Sequence, residues 1–373
     1  MVFIVITFAK INASRYYELY FESVGAYHVF RGTINFRLNP RFNRGTGIDF
    51  MSKTFILYNF FIFVAAFIGC VAIWHYHPFD GHIHSFLSPV PPFLTEQANG
   101  QVTSLDLWIP QISTSSALST SPLPQITAES ALSYDLTSNK FLFQKNINER
   151  LAMASLTKIM TAIIALEHPL AQDKYKVIQG DLVGENEMGL SSGEVLSLQE
   201  LLYGLVLPSG NDAAQTLATN FPGGVSGFVD AMNAKAKSLG LSDTHFSNPS
   251  GLEGDGDQHT TAFDLLVITH YALTHFPIFA EIVSTPEIDI SQTSTHKEYY
   301  LFNETNLLTT YPGVKGVKDG YTPEAGLCLI TYLDYEGHQI LAVLLGSADR
   351  RGEMKEILDY SLESLDIKPP NHE

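Results

Sequence analysis

Cysteine is nearly absent: the 373 residues contain two, Cys70 and Cys328. One lies in a long apolar run and the other in a strand-like run, so no disulfide is expected. Neither a disulfide framework nor a metal-finger spacing can be drawn. Cys328 reads as a small core residue. Basic residues are also scarce, 22 Lys and Arg against 39 Asp and Glu, for a net charge of -17. Residues 1–53 hold seven of the basic and three of the acidic residues, which leaves the remainder at -21. A surface of that sign does not suit nucleic acid, whose phosphates demand a basic face. No internal repeat is visible. What the chain does have is apolar material, at 45% with 12% aromatic, enough for a large core. Its length suggests two or three structural units.

Residues 55–74, FILYNFFIFVAAFIGCVAIW, carry no charge, and Asn59 is the one strongly polar residue among them. Twenty such residues are long enough to cross a bilayer core as a helix. All seven basic residues of the N-terminal part precede this run, and none follows until Lys140. That asymmetry places the N-terminus in the cytoplasm and the rest outside, tethered to the cell membrane by one span. A buried core helix rarely has such flanks. A cleaved signal peptide needs a small-x-small site, and the run ends instead in Ile-Trp-His-Tyr-His. The expected organisation is therefore a cytoplasmic segment (1–53), a transmembrane helix (54–75), a Pro/Ser/Thr-rich linker (76–125) and a folded domain (126–373). Residues 1–50 show little periodicity. Met51-Ser52-Lys53 reads as a natural start, and mass-spectrometric peptides from residues 1–50 would overturn Met51 as initiator. His75, His77, His82 and His84 surround Asp80 in the linker. Paired His-x-His steps suit a soft divalent metal, but a solvated spacer is the plainer reading, and no metal is assigned.

Two short strands open the domain, SALSYDL at 130–136 and KFLFQK at 140–145, joined by a Thr137-Ser138-Asn139 turn. From Ser155, apolar residues recur at 156, 159, 160, 163, 164 and 166, a helical period that Pro169 stops. Ser197 and Glu200 form a capping box before a helix that Pro208 breaks. Further helices are expected from about 226 to 239, ending at Gly240, and over 260–275, started by Thr260 or Thr261. Paired strands follow at 326–334 and 339–346, then a helix over roughly 350–364. This order gives an α/β (more strictly α+β) fold, with an antiparallel sheet formed by both ends of the domain, flanked by helices and carrying a mostly helical insertion.

Ser155 and Lys158, three residues apart at a helix start, share one face. A serine hydroxyl needs a base to become a nucleophile. A lysine is that base only if desolvation or a second cation lowers its pKa. The apolar run around it (Leu151, Ala152, Met153, Ala154, Leu156, Ile159, Met160) supplies desolvation. Alone, Ser-x-x-Lys is a weak signal, common where Ser caps a helix and Lys is solvated. Ser209-Gly210-Asn211, on a loop between helices, and Lys318-Asp319-Gly320, entering a strand, complete an ordered trio of Ser-x-x-Lys, Ser-x-Asn and Lys-x-Gly.

Through this trio the chain resembles the low-molecular-mass D-alanyl-D-alanine carboxypeptidases, peptidase family S11, which share the serine β-lactamase/transpeptidase-like fold. The likeness extends over about 126–364. It includes TAESALSYDLTSNKFLFQKNINERLAMASLTKIMTAIIALE, GLSSGEVLSLQELLYGLVLPSGNDAA, MNAKAKSLGLSDTHFSNPSGL, HTTAFDL, and NETNLL before GVKGVKDGYTPEAG. The resemblance implies a penicillin-binding peptidase whose partners are peptidoglycan stem peptides ending in D-Ala-D-Ala and, as acylating inhibitors, β-lactam antibiotics. It implies no cofactor. It makes Ser155 the nucleophile and Lys158 its base, with Ser209 relaying a proton to the leaving amine and Asn211 holding Lys158 and the substrate amide. Lys318 would bind the terminal carboxylate, with Gly320, Tyr321 and Thr322 beside it. Backbone N–H groups of Ser155 and Tyr321 would form the oxyanion hole.

The departure is Asp319, where the family most often has Thr. A hydroxyl donates to a carboxylate; an ionised Asp repels one. Either Asp319 pairs with Lys318 or Lys315, or its side chain points away. Lys315 and His259 read as loop residues, and Asp212 as the start of the next helix. A class A-like β-lactamase is the rival enzyme, but no convincing Glu-x-x-x-Asn loop lies between Asn211 and Lys318, although Glu253 falls in that interval. Nitrocefin turnover separates the two. A degenerate peptidoglycan-binding domain without turnover is the non-enzyme rival, separated by labelling with a fluorescent penicillin.

Overall fold

A computed structural model describes residues 3–10, 16–24, 29–37, 108–110 and 122–372, except position 255. The chain divides into two compact units, 1–99 and 100–373. The first contains strands β1 (Phe3–Lys10), β2 (Tyr16–Val24) and β3 (Val29–Arg37). They pair antiparallel in sequence order, with Phe3 opposite Val24 and Tyr16 opposite Arg37. The sequence reading found little periodicity here. The strands are rich in β-branched and aromatic residues, which favour a pleated ribbon without needing a clean alternation. The apolar run 55–74, Cys70, the histidine cluster and most of 76–125 lie outside the described residues.

The second unit is built on a five-stranded antiparallel sheet. β4 (Ser130–Asp135) and β5 (Lys140–Lys145) form the expected hairpin. Helix α1 (Lys158–Glu167) follows a short 3-10 turn at Ala154–Thr157. The helical part then carries two small hairpins: β6 (Tyr175–Lys176) with β7 (Val195–Leu196), and β8 (Glu287–Ile290) with β9 (Tyr299–Phe302). Between these pairs lie α2 (Leu198–Val206), α3 (Asn211–Thr219), α4 (Gly224–Ser238), α5 (Ala262–His275) and α6 (Pro277–Val283). The chain returns through β10 (Val314–Thr322), β11 (Gly326–Tyr335) and β12 (His338–Ser347) to α7 (Arg350–Glu363). The sheet order is β10-β11-β12-β4-β5, so strands from both ends of the domain meet at β12 and β4.

Both faces of this sheet are covered, which is why β12 reads as a continuous apolar run rather than an alternating one. Leu341, Val343 and Leu345 face the helical insertion. Ile340, Ala342 and Leu344 face Met354, Ile357, Leu358 and Leu362 of α7. Each fully buried side chain of this kind is worth about 1.5–3 kcal/mol. The caps follow sequence chemistry. Ser197 Oγ accepts from Glu200 N while Glu200 accepts from Ser197 N, and Thr261 rather than Thr260 caps α5. Cys328 is fully buried in β11, and burial pushes its thiol up to about 11. Trp108, within the segment read as linker, stacks on His270 of α5 at 3.8 Å and meets Tyr134 edge-on at 5.5 Å.

Candidate active site

Ser155 lies on the tight 3-10 turn that feeds α1. The residue before it, Ala154, has φ +48°, in the left-handed region where a larger or branched side chain is penalised. Two glycines make room for this turn. A Cβ on Gly251, itself at φ +89°, would lie 1.9 Å from the Ala154 carbonyl oxygen. A Cβ on Gly320 of β10 would lie 3.0 Å from the Ser155 nitrogen. The close approach of β10 to the Ser155 N–H therefore depends on Gly320 having no side chain. Gly251→Ala is expected to destabilise the fold by about 2–4 kcal/mol through strain and overlap. It should also lower the reactivity of the Ser155 hydroxyl by displacing the turn; urea midpoints and rates of Ser155 modification check both effects.

Lys158 is the first residue of α1 and is fully buried. Its Nζ lies 2.9 Å from Ser155 Oγ, 2.8 Å from Asn211 Oδ1 and 2.8 Å from the Ser250 carbonyl oxygen. A neutral amine has two N–H groups and one lone pair. The two acceptors that cannot donate, Asn211 Oδ1 and Ser250 O, use the N–H groups. The lone pair is then left for the Ser155 hydroxyl, the arrangement a general base requires. The electrostatics agree. Burial, and then the positive charge of Lys318, hold Lys158 well below the usual lysine pKa, against opposing pulls from Asp319, Asp212 and Glu304.

Asn211 opens α3, and its Nδ2 donates to the Gly184 carbonyl at 3.1 Å, which fixes the amide so that Oδ1 faces Lys158. Gly210 is required by packing, since a Cβ there would lie 2.7 Å from the Gly204 carbonyl. Ser209 has φ +59° and is buried, and its Oγ has no hydrogen-bond partner. An orphaned hydroxyl is costly. One held two residues from Asn211, whose Oδ1 meets Lys158 Nζ, has a donor and an acceptor to offer a reacting group. Asp212, expected to start this helix, is its second residue. Its carboxylate accepts from the N–H groups of Met188, Gly189 and Leu190, fastening that segment along the site.

β10 supplies the remaining residues. Lys318 and Asp319 are buried, Tyr321 is 61% exposed, and Lys315 is exposed. Thr322 Oγ1 accepts from Ala325 N at 3.1 Å, bracing the β10–β11 turn. Glu253 is occupied at the same turn, where its Oε1 accepts from Glu324 N at 2.7 Å. Asp319 pairs with Lys318, one of the sequence alternatives, and not with Lys315; its second partner is Arg350. His259 pairs with His245 in an isolated β-bridge. Among the described residues no group of His, Cys, Asp and Glu is placed to hold a metal.

Arg350, Glu304 and Ser250 were not singled out from sequence. For Arg350 a signal exists: Arg350 and Arg351 open α7, where a helix dipole disfavours cations. Glu304 accepts from Asn186 Nδ2 at 3.1 Å. Desolvation, then Asp319, raise its pKa against Lys318, Arg350 and Lys158.

A family model for D-alanyl-D-alanine carboxypeptidases, peptidase S11, matches residues 116–349. The D-alanyl-D-alanine carboxypeptidase DacF of Bacillus subtilis is 35% identical over 254 residues, 65% of this chain and 64% of that protein. The chain thus spans just under two thirds of the length of that relative. A D-alanyl-D-alanine endopeptidase of Pseudomonas aeruginosa is 33% identical over 233 residues, 59% of this chain and 74% of that protein. Among solved structures, the Streptomyces K15 DD-transpeptidase superposes with a TM-score of 0.61 at 29% identity, covering 65% of this chain and 99% of that one.

Proposed function

Because the chain belongs to the D-alanyl-D-alanine carboxypeptidase family, peptidase S11, we propose that it is a serine-type D,D-peptidase that trims peptidoglycan stem peptides ending in D-Ala-D-Ala. The observation that carries this reading is the placement of Lys158 Nζ between Ser155 Oγ, Asn211 Oδ1 and the Ser250 carbonyl. Ser155 Oγ attacks the carbonyl between the two D-alanines as its proton passes to Lys158. The N–H groups of Ser155 and Tyr321 receive the developing oxyanion, a large contribution in acyl transfer. Ser209 hands a proton to the leaving amine, and Asn211 positions both Lys158 and the substrate amide. Lys318, with Gly320 and Thr322 beside it, lies on the leaving-group side. Water then releases the acyl group. A β-lactam enters the same path and stops at the acyl-enzyme.

The apolar run 55–74 and the basic residues before it support a single membrane span with this domain on the outer side, where its substrate is found. Incubation with a stem pentapeptide, followed by mass spectrometry, should show loss of one alanine. An unchanged pentapeptide together with a failure of Ser155 to take a fluorescent penicillin would remove the reading.

A further inference from the structure

Lys318, Asp319 and Arg350 form a closed ionic group beside the nucleophile. Lys318 Nζ donates to Asp319 Oδ1 and to the Asp319 carbonyl, both at 3.0 Å. Arg350 Nη2 donates to Asp319 Oδ2 at 2.7 Å, and its Nη1 donates to the Gly320 carbonyl at 2.9 Å. The side chains of Lys318 and Asp319 are 2% and 8% exposed, and that of Arg350 is 18% exposed. Each Asp319 oxygen therefore has its own cation, in a place largely shielded from water.

Without Asp319, the two cations would be an anion subsite next to Gly320, the residue that abuts the Ser155 N–H. An Arg and a Lys converging on one point suit a carboxylate. A substrate that ends one residue beyond the reacting bond carries a carboxylate there. In this chain the cations already hold an anion that is covalently attached and so always at high effective concentration. A second carboxylate must displace Asp319 or lie against it, and like charges at contact distance oppose that. A leaving residue with a neutral end meets no such repulsion.

We infer that Asp319 is an internal counter-ion filling the anion subsite of Lys318 and Arg350, and that it makes the enzyme accept D-alanyl links whose leaving residue has no free carboxylate, such as an amide joining two peptides, at least as well as a terminal D-alanine. The inference rests on the acyl-transfer function proposed above and narrows its substrate class. Asp319 is a specificity residue that acts through Lys318 and Arg350.

The test compares two D-Ala-D-Ala peptides, identical except that one ends in a carboxylate and the other in a carboxamide. Release of D-alanine or D-alanine amide gives kcat/KM for each. The wild type should show an acid-to-amide ratio near or below one. Asp319→Thr and the near-isosteric Asp319→Asn should each raise that ratio by about tenfold or more, chiefly through KM for the acid. A purely structural role would change both rates together and leave the ratio in place. A wild type that prefers the acid by more than about tenfold, or a ratio that neither variant moves, overturns this inference alone. If no form cleaves either peptide and Ser155 takes no penicillin label, the acyl-transfer function falls, and this inference with it.

Discussion

Ser155→Ala is expected to abolish covalent labelling by penicillin and to reduce peptide turnover by on the order of 10⁴- to 10⁶-fold, the range for losing a serine nucleophile that works as a unit with its base. No neighbour can substitute. Of the three oxygens around Lys158 Nζ, Asn211 Oδ1 and the Ser250 carbonyl have no proton to give and no nucleophilic role; Ser155 Oγ alone has both. The substitution removes one oxygen from a partly exposed position, so thermal unfolding should stay within about 0.5 kcal/mol of wild type. A fluorescent-penicillin gel beside a melting curve reads both. Residual labelling of the alanine variant would place the nucleophile elsewhere.

The second large effect concerns Lys158. Lys158→Met should slow acylation by about 10²- to 10⁴-fold, the usual worth of a positioned general base. Its pH dependence has a definite sign. The base works when neutral, so the acylation rate falls as pH drops through the lowered Lys158 pKa. Lys318 is the charge that helps depress that pKa, so Lys318→Gln should move the acid limb to higher pH. Asp319 raises it, so Asp319→Thr should move the limb to lower pH. Opposite displacements of one limb by neighbouring residues are hard to obtain except through Lys158. Stability follows the same proton. Between the lowered pKa of the buried lysine and its unfolded value, folding releases a proton. The contribution of this group therefore improves as pH rises from its lowered pKa toward the unfolded value. Lys158→Met removes that dependence, so the melting temperature should vary with pH over this range more in the wild type than in the variant.

Much of this was legible in the sequence, because the signals were local. A capping box, a turn between two strands and an Ser-x-x-Lys step all act within a few residues, and each is found where its chemistry places it. The carriers of Ser155, Lys158, Ser209 and Asn211 follow from such rules. What was not legible is what long-range packing creates. Arg350 lies 31 residues from Asp319 along the chain, and the two meet because α7 covers the sheet beside β10. The Ser250 carbonyl is a backbone group, with no side-chain identity to announce it. Gly251 and Gly320 look like ordinary turn and strand glycines until the Ala154–Ser155 turn is set against them. Asp319 was recognised as a departure, but choosing between its possible partners needed Arg350, which local pattern does not provide.

The position of β10 at the outer side of its sheet has a further consequence. An uncovered outer strand invites strands from other molecules and is a common origin of aggregation. Here the Ser155 turn packs on β10 at Gly320, and the end of α6 packs on it at Gly316, where a Cβ would lie 2.8 Å from the Val283 carbonyl. The segment that performs the chemistry thus also helps to hold the outer strand on its sheet. Damage that merely silences the hydroxyl leaves that packing in place, whereas damage that moves the turn loosens it. Soluble yield during expression therefore distinguishes two ways of losing activity: Ser155→Ala should accumulate as well as wild type, and Gly251→Ala should be found largely in the insoluble fraction.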